Sequence, residues 1–337
     1  MKKLEKNKVT FITVLCSFLI VLAGITLFTV NAFKEKSLVD TSNTVKEVTL
    51  EDTGTKVAIA MAADDNYTYT TLVSITSLMM NSSKDTNYDI YIMVPGKFSK
   101  ENKEKLLSLH DKYERCHINL INMKDRYKNA NAKEHITTPA YYRLSLSSVL
   151  PDLEKVIWLD GDTLIFGDLT ELYNISMDGY YYKGFLDDNI HGTKDFGIED
   201  DHYICSGVML VNLEELRQNN MEDKFEKFIK LNNEKLKQHD QTVINVVCAD
   251  KIGVLPSKYG IFNFDNVEEA KSYALNLIAK NRYSESEITD AYNHPVILHC
   301  IRKPWYDINY YHARTWWDYA EKTGYIEEIK AYHKMKF

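Results

Sequence analysis

The chain lacks an excess of positive charge: its 337 residues carry a formal net charge of −7. A nucleic-acid partner needs a basic face, so no nucleic-acid partner is expected. There is no G-x-x-x-x-G-K-[ST] loop and no G-x-G-x-x-G after the first apolar run, which leaves a P-loop NTPase or a dinucleotide dehydrogenase without support. No C-x-x-C pair occurs among the five cysteines. Cys16, Cys116, Cys205, Cys248 and Cys300 are scattered, mostly in apolar surroundings, and read as buried free thiols, with one or two disulfides as the alternative. Repeats and low-complexity segments are absent too. A last absence is local: no charged residue lies between Val9 and Phe33.

That uncharged run is long enough to span a bilayer. Lys2, Lys3, Lys6 and Lys8 outnumber Glu5 before it, whereas Lys34, Glu35 and Lys36 nearly balance after it. The asymmetry predicts a cytosolic N-terminus and a single-pass, type II topology. Val30-Asn31-Ala32 resembles a cleavage site, but the run exceeds a signal h-region, so an uncleaved anchor is favoured. The compartment would be a Golgi or secretory lumen in a eukaryotic source and the cell membrane in a bacterial one. The expected layout is a basic tail (1–8), an anchor (9–33), a polar stem (34–55), one α/β domain (56–307) and a helical tail (308–337). The tail, with Trp316 and Trp317, reads as amphipathic and suited to packing on the domain or on a membrane surface.

Within the domain, apolar runs alternate with helical patterns. Strands are predicted over Lys56–Ala62, Tyr88–Val94 and His117–Ile121, with helices over Thr68–Met80 and Lys100–Tyr113 between them. This alternation predicts a mostly parallel sheet with right-handed crossovers, flanked by helices. A helix over Pro139–Val149 would carry Arg143. Further strands follow over Lys155–Leu159, Tyr181–Leu186, Ile204–Asn212 and Pro295–His299, with a helix over Lys237–Val247.

The strand Lys155–Leu159 ends abruptly in Asp160-Gly161-Asp162. Two carboxylates that close do not both stay ionised cheaply without a cation between them. Other strands end in Asp64-Asp65-Asn66, in Asp187-Asp188, and in His299 with Lys303 nearby. In a parallel sheet these ends share one edge, where ligands bind. Two aspartates and a histidine make an oxygen and nitrogen donor set for Mn²⁺, with Mg²⁺ as the alternative. Lysine and metal together suit a diphosphate leaving group.

Six strings occur in order: AADDNY after the first strand, YYRL, VIWLDGD, SGVMLVNL, HDQTVIN and LH…KPW. Together, over Lys56 to Asp307, they resemble glycosyltransferase family 8. The resemblance implies a GT-A fold, a Rossmann-like sheet that binds a UDP-sugar, and a Mn²⁺ requirement. It also implies transfer of a hexose, galactose or glucose, with retention of configuration, to a glycan, glycolipid or glycoprotein acceptor. Carried onto this chain, it implies that Ala62, Asp64 and Asn66 border the uridine, with Gly161 allowing close backbone approach. Asp160, Asp162 and His299 would hold the metal, and Lys303 the diphosphate. Arg143, Asp187, Ser206 and Asp240 would fix the donor sugar. Asp240, Gln241 and Asp187 would lie at the anomeric carbon, with Gln241 an electrostatic or positioning group. Asn66, Asn81 and Asn174 form N-glycosylation sequons, and the one at Asn66 would conflict with a nucleotide site.

Two departures from the family pattern stand out. Cys205-Ser206-Gly207 occupies a place where the family usually has Asn-Ala-Gly or Asn-Ser-Gly. Only Cys300, Ile301 and Arg302 separate His299 from Lys303, so a tight loop is expected, with Arg302 as a second cation. These departures motivate one alternative, an impaired membrane-tethered nucleotide-sugar or glycan-binding protein. A self-glucosylating, glycogenin-like initiator is the other, and a membrane anchor argues against it.

Overall fold

A computed structural model describes residues 54–130, 138–187, 194–197, 203–264, 267–279 and 282–334. The expected anchor and nearly all of the expected stem lie outside these residues. Among the described residues, no helix is long and apolar enough to cross a membrane.

The first half follows the predicted alternation. Strand β1 (Thr55–Ala62) leads to helix α1 (Thr68–Asn81), β2 (Thr86–Val94), α2 (Lys100–Lys112) and β3 (Cys116–Asn122). Val57, Ile59, Ala60 and Met61 of β1 are all buried, although they alternate across the sheet. Both faces are therefore covered, as the near-continuous apolar run requires. Helix α1 is buried all round despite six threonines and serines. Two of its hydroxyls turn back onto the helix, Thr71 Oγ1 donating to the Tyr67 carbonyl and Ser77 Oγ to the Ser74 carbonyl, which satisfies those two without water.

Seven strands form the main sheet. After β4 (Lys155–Leu159) and β5 (Thr163–Ile165) come β6 (Tyr182–Leu186), β7 (Ile204–Asn212), β8 (Ile252–Val254), β9 (Ile261–Phe262) and β10 (Ile297–His299). The order is β3-β2-β1-β4-β7-β6-β8. β2 and β4 both pair parallel to β1, on opposite sides. The order in which strands are added thus reverses between β1 and β4, the kind of switch point where open sheets bind ligands at their carboxyl ends.

Two strands depart from the predicted arrangement. β7 runs antiparallel to both β4 and β6, pairing Leu159 with Val208 and Lys155 with Asn212. An apolar run reads alike in either direction, so sequence alone carries no sign of this. Its consequence is that the start of β7, Cys205-Ser206-Gly207, lies beside the end of β4. The second departure concerns β10, which does not end on the shared edge of the main sheet. It lies in a separate three-stranded sheet, β5-β10-β9, antiparallel to β5. His299 pairs there with Thr163.

The segment expected as a helix over Pro139–Val149 is a 3₁₀ turn, Thr138–Ser145, followed by one α-helical turn. Tyr141, Tyr142, Arg143 and Leu144 are buried in succession, where a surface helix would turn some of them to solvent. Helix α3 (His239–Val247) carries the HDQTVIN string. The tail forms α4 (Ala313–Thr323) and α5 (Ile326–His333). α4 packs on α1 and buries Trp316 and Trp317. Asn81 joins them: its Nδ2 donates to the Ser77 and Ile165 carbonyls and to Tyr319 Oη, at 2.8, 3.0 and 2.6 Å. The nitrogen a glycan would take is already engaged there.

Candidate active site

The turn after β4 is pinned from several sides. Thr163 closes it, its N–H and hydroxyl both donating to the Asp160 carbonyl at 3.2 and 2.9 Å. The Asp160 N–H donates to the Gly207 carbonyl, and the Cys300 N–H to the Asp162 carbonyl, each at 2.8 Å. Sequence reading gave Gly161 a role in close approach to a nucleotide, and the structure supplies a second reason for glycine there. A Cβ at Gly161 would stand 2.7 Å from Thr71 Oγ1, so any larger residue would have to displace that hydroxyl.

Asp160 engages one oxygen and leaves the other facing inward. Oδ1 accepts from Arg143 Nη2 and from Trp158 Nε1, each at 2.9 Å. Oδ2 lies 3.9 Å from His299 Nε2. Asp162 is buried, and its Oδ2 accepts from Lys303 Nζ. Its Oδ1 lies 3.2 Å from His299 Nε2 but accepts no well-aligned hydrogen bond among the described residues. Burial alone would raise the Asp162 pKa, but Lys303 and His299 outweigh it and hold the carboxyl well below the usual range. Conversely, burial opposes charge on His299, yet Asp162 lifts its pKa to about 10.

Asp160, Asp162 and His299 each offer one ligand atom, and these atoms lie within 4.8 Å of one another. An orphaned buried carboxylate oxygen is the kind of group a cation satisfies. Two oxygens and one imidazole nitrogen suit Mn²⁺ or a similar divalent ion. The residues present therefore fit a metal.

The short loop after His299 delivers the lysine. Asn263 clamps Arg302 by two bonds, Nδ2 to its carbonyl at 2.7 Å and Oδ1 from its N–H at 2.9 Å. Lys303 then reaches back to Asp162. The Arg302 side chain, expected as a second cation, instead donates to Glu269 at 2.8 Å and leaves Lys303 facing the metal residues.

Arg143 joins the metal end to the far end of the cleft. Its Nε donates to the Ala140 carbonyl at 2.8 Å and lies 3.0 Å from Asp240 Oδ2. Its Nη1 donates to the Ser206 carbonyl and its Nη2 to Asp160, while the guanidinium stacks 4.6 Å above the Trp158 ring. Expected at the donor sugar, it borders the cleft and also bridges the half-buried Asp160 and the buried Asp240. Burial and the nearby Asp160 charge raise the Asp240 pKa, against the pull of Arg143. Gln241 is held at both ends of its amide: Oε1 accepts from the Ser206 N–H at 2.9 Å, and Nε2 donates to Asp187 Oδ2 at 3.1 Å. Ser206 Oγ donates to Asp240 Oδ2 at 3.1 Å.

These groups line one cleft of about 410 Å³. Ala62, Asp64, Gly161 and Lys303 border it, as do Arg143, Ser206, Asp240, Gln241 and the three metal-fitting residues. Two expected site residues do not. Asp187, expected at the sugar, is outside the lining residues and accepts from Gln241 Nε2, which is among them. Asn66 lines an adjoining groove of about 750 Å³, where its Oδ1 accepts from Tyr332 Oη at 3.0 Å. The reason is Asp64, whose Oδ1 takes the N–H groups of Asn66 and Tyr67 at 2.9 and 3.0 Å and turns the chain outward.

Among the cleft residues that sequence reasoning passed over are Tyr67, Trp158 and Gly207. Tyr67 borders both cleft and groove, and burial raises its pKa to about 12. Trp158 supports both Asp160 and Arg143, and Gly207 leaves room for the His299 ring. All three stand inside the quoted strings, where they read as turn or strand residues.

Comparison with known proteins agrees with this architecture. A protein of Haemophilus influenzae that carries the name of a glycosyltransferase is 29% identical over 213 residues, 61% of this chain and 62% of its own length. General stress protein A of Bacillus subtilis is 25% identical over 73% of this chain and 86% of its own. Among solved structures, galactosyltransferase LgtC, in complex with donor and acceptor sugar analogs, superposes with a TM-score of 0.66 at 21% identity. That match covers 79% of this chain and 96% of LgtC. The bifunctional WbbM gives a TM-score of 0.67 at 18% identity, with this chain spanning 52% of its length. The fold is thus GT-A-like, with a mostly parallel central sheet. The family model for glycosyl transferase family 8 matches residues 58–309, and the chain belongs to that family.

Proposed function

We propose that this chain is a retaining, metal-dependent hexosyltransferase. It moves galactose or glucose from a UDP-sugar to a glycan, glycolipid or glycoprotein acceptor, and residues 9–33 tether it to a membrane with the catalytic domain on the non-cytosolic side. The observation that carries this reading is the convergence of Asp160, Asp162 and His299 around an orphaned carboxylate oxygen, with Lys303 beside them. Bound there, Mn²⁺, or Mg²⁺ in its place, supplies a Lewis acid for the oxygens of a departing diphosphate.

The residues divide the work along the cleft. Lys303 adds a second positive charge on the leaving-group side, where negative charge develops. Tyr67, Ala62 and Asp64 bound the nucleoside end, and Tyr67 offers an aromatic face to a base. Arg143 holds Asp160 and Asp240 in fixed relation, so that the diphosphate and sugar ends keep one spacing. Ser206 and Asp240 present oxygens to the sugar. Gln241 has its carbonyl on the Ser206 N–H and its nitrogen on Asp187, so the amide orients and does not attack. The acceptor hydroxyl then enters on the leaving-group side, and the cleft carboxylates offset the positive charge that develops on the sugar. A covalent sugar on Gln241, trapped with a slow donor, would overturn that part of the account.

A donor screen tests the function. The full chain is incubated with UDP-glucose or UDP-galactose, in Mn²⁺ or in EDTA, and UDP release is read. Release with one donor in Mn²⁺, abolished by EDTA, is expected. Equal release in EDTA would remove the metal from the reaction.

A further inference from the structure

The four described cysteines are buried free thiols, but their surroundings differ. Cys116, Cys248 and Cys300 are 0% exposed, whereas Cys205 is 6% exposed and borders the cleft. The Cys205 sulfur lies 3.6 Å from His299 Nδ1. It is anchored from its own strand, because the Gly207 N–H donates to it at 3.4 Å. Among the described residues it is the one hydrogen-bond partner of Nδ1. The other ring nitrogen, Nε2, faces Asp162 Oδ1 at 3.2 Å and Asp160 Oδ2 at 3.9 Å. The ring has little freedom to leave this seat. Gly207 lies against it so closely that a Cβ there would fall 2.2 Å from Cε1, and Phe262 meets it edge-on at 5.7 Å between centroids.

A metal-bound imidazole is neutral: the cation displaces the proton that Asp162 favours on the metal-free ring, and the one N–H left stays on the nitrogen that faces another acceptor. Only the bare nitrogen binds a metal. Ligating histidines therefore hold their second nitrogen on an acceptor, which sets both tautomer and ring angle. On this ring the acceptor is a sulfur. We propose that Cys205 is the positioning residue of His299: its sulfur accepts the Nδ1–H and leaves the Nε2 electron pair directed between Asp160 and Asp162, where a divalent cation is taken. The inference rests on the metal-dependent reading given above. Its consequence is a metal site that depends on a thiol at the cleft wall, so a covalent cap on one sulfur weakens metal binding without touching a ligand.

Mn²⁺ affinity of the full chain, followed by the electron spin resonance signal of the free ion, tests this directly. Cys205→Ala is expected to bind Mn²⁺ roughly 10–100-fold more weakly, the usual effect of removing such a partner. Cys205→Ser keeps an acceptor oxygen and is expected to recover most of the affinity. Melting temperatures measured alongside show whether each variant folds. A second arm leaves the sequence intact: methyl methanethiosulfonate caps accessible thiols, and mass spectrometry locates the cap. Capping at Cys205, weaker Mn²⁺ binding and recovery with dithiothreitol are expected together. Unchanged Mn²⁺ affinity in both Cys205→Ala and the Cys205-capped chain would overturn the proposal. A wild-type chain that binds no Mn²⁺ at all would overturn the metal-dependent reading beneath it.

Discussion

Gly207 decides where His299 sits, because any side chain there overlaps the imidazole. Gly207→Ala must move the ring away from Asp160 and Asp162. We expect Mn²⁺ affinity to fall at least as far as for loss of a partner to a ligand, roughly 10–100-fold. Isothermal titration measures it, and wild-type affinity would contradict this use of the glycine. Arg143 is the other residue on which the site turns. It neutralises the buried Asp240 and the half-buried Asp160, and removing one partner of a buried pair costs about 3–5 kcal/mol. Arg143→Ala should lose stability on that scale in urea unfolding. Adding Asp240→Asn should restore part of it, since Asp240 would no longer be a buried charge without a partner. If the double variant is no more stable than the single one, Asp240 is not the group that Arg143 neutralises.

The tail helices α4 and α5 belong to the folded domain. Trp316 is fully buried against Trp305, Trp317 and His333. Trp316→Ala should cost roughly 3–5 kcal/mol, the range for truncating a core aromatic. His333 gives this packing a pH dependence. Its ring stacks on Trp305 at 4.9 Å, and its Nε2 is buried without a partner among the described residues. Burial lowers its pKa from 6.5 to about 4. The folded state therefore disfavours the proton that the unfolded chain takes up readily. The stability linked to His333 is complete above about pH 6.5 and is lost as pH falls toward about 4. Melting temperature should drop between pH 7 and pH 5, and drop less in His333→Phe. Equal drops in both would assign the effect to other groups.

Across the whole molecule, what was legible in the sequence divides by physical cause. The β1-α1-β2-α2-β3 half was legible because hydrophobic period and helix length are local properties. The reversed direction of β7 was not, since its buried run carries no polarity. Nor was the second sheet, whose strands β5 and β10 are far apart in the chain. The carboxylate turn and His299 were recognisable as residues, but their meeting depends on that distant pairing. The roles of Arg143 and Cys205 lay deeper still, because each is set by which side chain faces it: Asp240 for the arginine, His299 for the thiol. The central claim, that one site binds a metal and a nucleotide diphosphate together, has a direct consequence at this scale. If both sit in the same cleft, each tightens the other by the same factor. The measurement is calorimetric titration of the full chain with UDP, in Mn²⁺ and in EDTA, repeated with Asp162→Ala. The account predicts UDP binding at least about tenfold tighter in Mn²⁺, a coupling within the usual range, and no gain from Mn²⁺ in the variant. UDP affinity that is the same in Mn²⁺ and in EDTA, or the same metal gain in Asp162→Ala, would contradict it.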